Sequence, residues 1–154
     1  MKIELRTIDD TNRHDVISLR VSDSQEQFIA PNIRSLETAR EEENAKIARP
    51  FGIYADDALV GFTMFAFDLT SADPNDRYWL WRFMIDEKFQ RKGYGCAALA
   101  AIIACFKAQG ADHILLSTKE NNSAALSLYH KFGFAETGEM NDDEIVLRLD
   151  LSSN

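Results

Sequence analysis

Hydrophobic and polar residues alternate, or recur with a helical period, in segments that fill most of the chain. Short alternating or continuously apolar runs predict strands, and longer runs with a period of three to four residues predict helices. The predicted strands are 3–6, 51–54, 59–69, 78–85, 114–117, 134–139 and 144–149. The predicted helices are 11–19, 35–48, 93–109 and 123–132.

The order of these elements predicts one domain. The polar segment 71–76 has turn composition, so the strands on either side of it should form a hairpin. Ser35 is the expected N-cap of the second helix, whose acidic residues should form a solvated face: Glu37, Glu41, Glu42 and Glu43. The order β-α-α-β-β-β-α-β-α-β-β predicts an α/β (α+β) fold over residues 1–154, a mixed sheet with helices on its faces.

Composition allows a full hydrophobic core and gives the protein a negative charge. Hydrophobic residues make up 45% of the 154 residues, and the formal net charge is −8. Such acidity disfavours nucleic acid and anionic membranes as partners and suits a cationic substrate. Solubility alone accounts equally well for the acidity of many cytosolic enzymes.

Cys96 and Cys105 both fall in the third predicted helix. Their spacing corresponds to about 13 Å of helix, which is too far for a disulfide. We therefore expect reduced thiols and a cytoplasmic protein. His14, His113 and His130 lack metal-ligand spacing, so we expect no metal. No apolar run is long enough to span a membrane.

The strongest chemical signal is the segment 89–96, F-Q-R-K-G-Y-G-C, between an apolar strand and an apolar helix. Gly93 and Gly95 let the backbone approach a ligand, and the start of a helix presents free N–H groups and a positive dipole end. Lys88, Arg91 and Lys92 add positive charge, so the turn predicts a phosphate or pyrophosphate site. A nicotinamide cofactor is disfavoured, because the dinucleotide-binding fold places such a turn after its first strand.

A second motif is the segment 122–134, N-S-A-A-L-S-L-Y-H-K-F-G-F. Asn122 is a good N-cap, and Tyr129 follows two helical turns later on nearly the same face. Ala125 lies on that face and leaves room beside it. An amide and a phenol in this arrangement could line a polar slot, although the segment alone fits a capped helix with a core tyrosine equally well.

Taken together, the two motifs resemble those of the GNAT superfamily of acetyl-coenzyme A-dependent N-acetyltransferases. Gln90, Gly93 and Gly95 match its pyrophosphate-binding turn. The following helix and strand match at Asn122, Ala125, Leu128, Tyr129, Gly133 and Phe134. These matches span residues 84–134, and the order of strands and helices extends the resemblance to the whole chain.

The resemblance implies a mostly antiparallel sheet, splayed at the strand before the glycine turn, and acetyl-coenzyme A as co-substrate without a metal. The pantetheine arm would pair with the backbone of Phe83, Met84 and Ile85 and contact Asn122. The pyrophosphate site would comprise Gln90, Arg91, Lys92, Gly93, Tyr94, Gly95 and Cys96. Tyr129 would lie near the sulfur, as part of the coenzyme site, and protonate the leaving thiolate as the catalytic residue.

A narrower resemblance concerns the acceptor. The run 78–86, Y-W-L-W-R-F-M-I-D, looks like that of bacterial spermine/spermidine (diamine) acetyltransferases, and the net acidity fits a polyamine. Better-known polyamine acetyltransferases place acids where this chain has Trp81 and Arg82. The candidate acceptor residues are Glu37, Asp68, Trp81 and Arg82. Asp68 would neutralise Arg82, Trp81 would pack on the amine, and the general base is a water relay or else Asp68 or Glu37.

Simple alternation along the strand 78–85 predicts which of its side chains share a face. Trp79, Trp81 and Phe83 should lie on one side of the sheet. The opposite side should carry Leu80, Arg82 and Met84. At least one tryptophan should therefore face the core.

Other acceptors and roles stay open. A protein N-terminus, a lysine or an antibiotic amine would suit the same fold, and a domain that senses coenzyme A without turnover is a further alternative. The expected partner is a small-molecule amine, with neither nucleic acid nor membrane. The sequence leaves the oligomeric state open and allows a homodimer.

Overall fold

A seven-stranded sheet runs through the protein, whose residues 1–41 and 43–151 are described by a computed structural model. The strands are β1 (Ile3–Thr7), β2 (Ala48–Ala55), β3 (Ala58–Phe67), β4 (Tyr78–Ile85), β5 (His113–Thr118), β6 (Ala135–Asn141) and β7 (Glu144–Asp150). The helices are α1 (Arg13–Ser18), α2 (Asn32–Arg40), α3 (Tyr94–Ala108) and α4 (Ser123–Lys131). The strand order is β1-β2-β3-β4-β5-β7-β6, and only β4 and β5 pair in parallel. The mixed, mostly antiparallel sheet expected from the sequence is confirmed.

Apolar side chains bury both faces of the sheet against helices. The face that carries α3 and α4 has a buried cluster containing Phe65, Leu99 and Phe106. The face that carries α1 and α2 has a second cluster containing Val16 and Met64. The sheet is therefore a rigid central layer, and the loops at its edges are held from two sides.

The second helix starts earlier than the sequence suggested. Pro31 occupies the N-cap position of α2, and Ser35 lies inside the helix, fully buried. The prediction that Ser35 caps the helix is therefore wrong. The hydroxyl of Ser35 instead accepts a 3.2 Å hydrogen bond from Nε of Arg82 on β4, so the helix is anchored to the sheet at this point.

The second helix also ends earlier than the sequence suggested. Ala48 belongs to β2 and pairs with Ala66 of β3, so strand pairing overrides the helical preference of this polar segment. Glu41 and Glu43 follow the helix rather than lying on it, and both are exposed. Glu42 lies outside the described residues.

A β-bulge interrupts the strand that precedes the glycine turn. Arg82 and Leu80 pair with consecutive residues of β3, which leaves Trp81 as an extra residue between them. Leu80 consequently packs in the same apolar cluster as Phe83. The alternation predicted for this strand is therefore wrong, because the extra residue resets the faces on which the side chains lie.

The parallel strands β4 and β5 separate soon after they meet. Among the described residues, their Cα register consists of one pair, Trp79 with Leu115. The remainder of β4 keeps its bonds to β3 and leaves its other edge facing a gap. The splayed strand expected from the sequence is thereby confirmed.

The described residues can be compared with the expectations for cysteines, membrane spans and metal ligands. Cys96 and Cys105 are both free thiols on α3. No helix in the described ranges is long and apolar enough to span a bilayer. Within the same ranges, no group of three or more His, Cys, Asp or Glu side chains could hold a metal ion.

Candidate active site

A cleft of about 1490 Å³ opens where β4 and β5 diverge. Its walls come from β4, the end of β5, the first turns of α4 and the segment 21–30. It also reaches the turn before α3 and the turn between β6 and β7. Most of the residues proposed from the sequence meet at this cleft, although they are far apart along the chain.

The turn before α3 has the backbone geometry of an anion site. Arg91 and Gly93 adopt left-handed conformations with φ values of 62° and 86°. The first hydrogen bond of α3 runs from the Ala97 N–H to the Gly93 carbonyl at 3.2 Å. The N–H groups of residues 94–96 precede that bond and have no partner within the helix. Such a run of free N–H groups at a helix start favours a phosphate.

The space above this turn is open. Gln90, Arg91 and Gly95 line the cleft. A Cβ added to Gly95 would meet only Leu128, at 3.9 Å, so a ligand can approach the backbone here. The other residues predicted for the pyrophosphate site do not line the cleft: Lys92, Gly93, Tyr94 and Cys96.

The side chains of Gln25 and of Asp86, the last residue of the run 78–86, help to hold the turn in place. The amide of Gln90 donates to the Ile85 carbonyl and to Oε1 of Gln25, both at 2.8 Å. Buried Asp86 accepts a 2.8 Å hydrogen bond from the Arg20 N–H. The sequence analysis gave Gln25 and Asp86 no role at this turn, because nothing in the neighbouring sequence marks them as its partners.

The residues predicted to contact the pantetheine arm lie at the exposed edge of β4. Phe83, Met84 and Ile85 all line the cleft. They pair with Thr63, Phe62 and Gly61 of β3 through their other edge. An extended ligand can therefore pair with the free edge of β4, as an added strand would.

Asn122 and Tyr129 line the same cleft from α4. Asn122 caps the helix by accepting a 3.4 Å hydrogen bond from the Ala125 N–H. Its amide also donates to the Thr118 hydroxyl at 3.4 Å, which joins α4 to the end of β5. The cap expected from the sequence is confirmed, and its amide lies at the wall of the cleft.

Tyr129 combines a buried ring with a hydroxyl that lines the cleft. The residue is only 9% exposed, and its ring packs against Phe134 with centroids 5.6 Å apart. Among the described residues, its hydroxyl has no hydrogen-bond partner. Burial, followed by the negative charge of Glu144, raises the pKa of Tyr129 well above its usual value of 10.0. The phenol therefore keeps its proton at neutral pH.

The four predicted acceptor residues are only partly brought together. Trp81 and Arg82 line the cleft, whereas Glu37 is exposed on α2 and lies outside it. Asp68 lines a separate depression of about 400 Å³ that also borders Trp79 and Trp81. The short turn after β3 holds Asp68 away from the main cleft.

The expected neutralisation of Arg82 by Asp68 is wrong. Arg82 donates to the Ser35 hydroxyl at 3.2 Å and to the Trp81 carbonyl at 2.9 Å. Burial lowers the pKa of Arg82, and the charge that opposes this effect belongs to Glu144. The extra residue of the bulge directs Arg82 towards α2 rather than towards the end of β3.

Glu144 is the main residue that sequence reasoning missed. It is the first residue of β7, lines the cleft and accepts a 2.7 Å hydrogen bond from the Ser117 hydroxyl of β5. Its charge acts on both Tyr129 and Arg82. In the sequence it is one more acid after a polar turn, so only the pairing of β5 with β7 identifies its position.

Most charged residues along the cleft are grouped by sign, with Glu87 and Arg82 as the exceptions. The segment before α3 contributes Lys88 and Arg91, together with Glu87. The other carboxylates come from the segment after α2 and from the β6–β7 turn: Glu41, Glu43, Asp142, Asp143 and Glu144. The cleft can thus take an anionic group at the helix start and a cationic group near the carboxylates.

Similarity to known proteins agrees with this geometry. Residues 13–134 match the model of the Acetyltransferase (GNAT) family. The chain is 35% identical over 153 residues to the spermine/spermidine N(1)-acetyltransferase of Bacillus subtilis (strain 168), covering 96% of this chain and 99% of that protein. It is 28% identical over 107 residues to the ribosomal protein bS18-alanine N-acetyltransferase of Salmonella typhimurium, covering 64% of this chain and 68% of that protein.

A solved structure shares the fold. The PaiA N-acetyltransferase from Thermoplasma acidophilum, in complex with coenzyme A, aligns with a TM-score of 0.69 and 17% sequence identity. The alignment covers 98% of this chain and 100% of that chain. The fold is therefore shared with a protein of very different sequence.

Proposed function

The chain belongs to the GNAT family of acetyl-coenzyme A-dependent N-acetyltransferases, and we propose that its acceptor is a polyamine such as spermidine or spermine. The observation that carries this proposal is the distribution of charge along the cleft. Carboxylates gather in the part of the cleft that is away from the helix start, and there they would attract a chain of ammonium groups. The identity of 35% to a spermine/spermidine N(1)-acetyltransferase supports the same acceptor.

The residues of the cleft fit acetyl-coenzyme A. The free edge of β4 at Phe83, Met84 and Ile85 suits the amide-bearing pantetheine arm, and the open backbone from Arg91 to Cys96 suits the pyrophosphate. The co-substrate supplies a thioester carbonyl for the amine to attack and a thiol that leaves. Direct attack within a ternary complex follows, because both ligands have room in one cleft.

We assign the proton donor to Tyr129. Its phenol carries a proton at neutral pH, as a tyrosine with the usual pKa of 10.0 already does, and burial and the charge of Glu144 move that pKa further up. Its hydroxyl makes no hydrogen bond to any residue in the described ranges, so it is available for a ligand. A thiolate leaving group has a pKa near that of an ordinary thiol, about 8.5, and gains from a proton delivered at this point.

A peptide N-terminus is the second candidate acceptor. Arg82 lines the cleft and has no carboxylate within ion-pair distance among the described residues, so its guanidinium could bind a peptide carbonyl or carboxylate. The similarity to an alanine N-acetyltransferase favours the same acceptor class. We rank it second, because six carboxylates at the same cleft favour a substrate with several positive charges.

The proposal also covers the setting of the reaction. The free thiols of Cys96 and Cys105 support a cytoplasmic location, where thiols stay reduced. The acceptor is a small molecule, so a partner protein is not required for turnover. A homodimer stays an expectation that sedimentation of the purified protein can examine.

Thiol release from acetyl-coenzyme A with a panel of amines tests the acceptor. The panel contains spermidine, spermine, putrescine, a lysine peptide, a peptide with a free N-terminal alanine and an aminoglycoside. We expect kcat/KM to be highest for spermidine or spermine and to fall with ionic strength, since exposed carboxylates attract the substrate. A preference for the alanine peptide would replace the first candidate by the second.

A further inference from the structure

Glu144 differs from every other carboxylate at the cleft in its exposure. Glu41, Glu43, Glu87, Asp142 and Asp143 are all exposed, whereas Glu144 is half-buried. A half-buried carboxylate interacts with a cation more strongly than an exposed one, because less water screens the pair. Glu144 is therefore the carboxylate at which an ammonium group would be held most firmly.

A fixed hydrogen bond orients this carboxylate. The Ser117 hydroxyl donates to its Oε1 at 2.7 Å, and the amide of Asn141 approaches the Ser117 oxygen at 3.5 Å. Ser117 pairs with Val146 of β7, and Thr118, the last residue of β5, pairs with Ile145. The pairing of the two strands therefore fixes the contact between Ser117 and Glu144. Oε2 of Glu144 makes no hydrogen bond to the rest of the described chain and lies free for a ligand.

The position of Glu144 links it to the other groups of the reaction. It lines the cleft together with Tyr129 of α4 and Arg82 of β4. No lysine or arginine in the described ranges lies within 4.0 Å of its carboxylate, whereas its neighbour Asp143 lies 3.9 Å from Lys119. Glu144 thus forms no ion pair in the described ranges, although the charge of Arg82 acts on it, and it lies close to the proton donor that we assign.

We propose that Glu144, oriented by Ser117, binds the reacting ammonium of the acceptor and removes its proton before the nitrogen attacks the thioester. This inference rests on the proposed transfer to a charged primary amine. Glu144 thereby takes the role of general base, for which the sequence suggested a water relay, Asp68 or Glu37. Asp68 and Glu37 do not line the main cleft, whereas Glu144 does.

The protons balance in this scheme. An ammonium group carries three protons on nitrogen, and the product amide carries one. Glu144 takes the first and passes it to water at the mouth of the cleft. The N–C bond then forms, the C–S bond breaks, and the thiol leaves with a proton from Tyr129. The second proton from nitrogen restores the phenol of Tyr129.

The Glu144→Gln variant tests the assignment with spermidine as acceptor. We expect kcat/KM at pH 7 to fall about tenfold or more, since general base catalysis contributes at least that much. The loss should shrink as the pH approaches about 10, where free amines lose their own proton. Stabilisation by acetyl-coenzyme A in a thermal shift should not change, because Glu144 is not among the residues that we propose for the coenzyme.

A matched variant and a graded one serve as controls. Glu136→Gln removes the same charge from exposed β6, beside His130, and should leave the pH profile unchanged. Ser117→Ala keeps the carboxylate but removes the hydrogen bond that orients it, so this variant should lower kcat/KM less than Glu144→Gln does. The charged groups around Glu144 are Arg82, Lys119, Asp142 and Asp143, with the phenol of Tyr129. These residues are the same in all the variants, but Glu144→Gln also removes a charge that raises the pKa of Tyr129. Ser117→Ala keeps that charge, so it separates the role of the carboxylate as base from its effect on Tyr129.

One result would overturn the role of Glu144 as base, and another would overturn the proposed acceptor. Equal pH profiles for the wild type and Glu144→Gln, with any amine that the wild type acetylates, would remove Glu144 from the role of base. Wild-type turnover of another amine in the panel, with none of a polyamine, would overturn the proposed acceptor. The variants would then be compared on that amine, and a loss that shrinks at high pH would support the role of Glu144.

Discussion

Gly61 of β3 lies so close to the Met84 carbonyl of β4 that a Cβ at position 61 would clash with it. The added atom would lie well inside 3.0 Å of this backbone oxygen. Met84 belongs to the strand whose other edge borders the cleft. The absence of a side chain at position 61 therefore sets the position of β4 at the coenzyme site.

Gly61→Ala should displace β4 and weaken both folding and coenzyme binding. The obstacle is backbone, which cannot rotate away, so we expect a loss of about 1–3 kcal/mol in the free energy of unfolding. The Kd for acetyl-coenzyme A should rise as well, because Met84 moves. Urea unfolding and calorimetric titration measure the two effects.

Gly52→Ala is the matched control in the neighbouring strand β2. An added Cβ there would meet side-chain atoms of Tyr54 and Leu59 at 3.0 and 3.1 Å, which can shift. We expect a smaller loss of stability and an unchanged Kd for acetyl-coenzyme A. Equal losses in both variants would show that the contact with Met84 has no special importance.

Tyr129→Phe should lower kcat by about 100-fold or more, the usual contribution of a general acid. Its hydroxyl has no hydrogen-bond partner in the described ranges, so the variant should melt within a few degrees of the wild type. The Kd for acetyl-coenzyme A should change little, because the ring remains. Steady-state kinetics and thermal melts check these values, and an unchanged kcat would remove Tyr129 from the role of acid.

Most of the residues that the sequence suggested for the coenzyme line the cleft, and short local motifs contain many of them. The glycine turn, the cap at Asn122 and the spacing to Tyr129 each reside within one short segment. Their backbone conformations follow from residue types, such as the left-handed Gly93 before a helix. Contacts within one segment need no knowledge of how the chain folds back on itself.

The acceptor side could not be predicted because distant strands create it. Glu144 meets Ser117 only after β7 pairs with β5. The bulge at Trp81 depends on the register with β3 and changes the faces of β4. Asp68 was a reasonable candidate by charge alone, and only the fold shows that it lines a separate depression.

Gly93→Val should abolish stabilisation by acetyl-coenzyme A while the protein still folds. A valine at φ 86° is strained by about 1–2 kcal/mol, and the turn would relax so that the N–H groups of α3 no longer converge. Open space surrounds the position, so no packing is lost. Thermal shifts with and without acetyl-coenzyme A measure the effect.

Gly110→Val is the control for this change, at the other end of α3. Gly110 has nearly the same φ, 85°, and equally open surroundings, so the loss of stability should be similar. Gly110 follows the end of α3 and does not line the cleft, so stabilisation by acetyl-coenzyme A should persist. If both variants keep that stabilisation, the glycine turn is not the pyrophosphate site.

The raised pKa of Tyr129 predicts how stability depends on alkaline pH. Burial, then the charge of Glu144, raises the pKa of Tyr129 above 10.0 in the folded protein. Between pH 10 and that higher pKa, the phenol is ionised in the unfolded chain but still protonated in the folded chain. The contribution of Tyr129 is thus fully present below pH 10 and is lost as the pH rises further. Urea unfolding at about pH 9 and 11 should show a larger loss of free energy for the wild type than for Tyr129→Phe. Parallel losses in the two proteins would mean that Tyr129 titrates normally and that its phenol is not protected by burial.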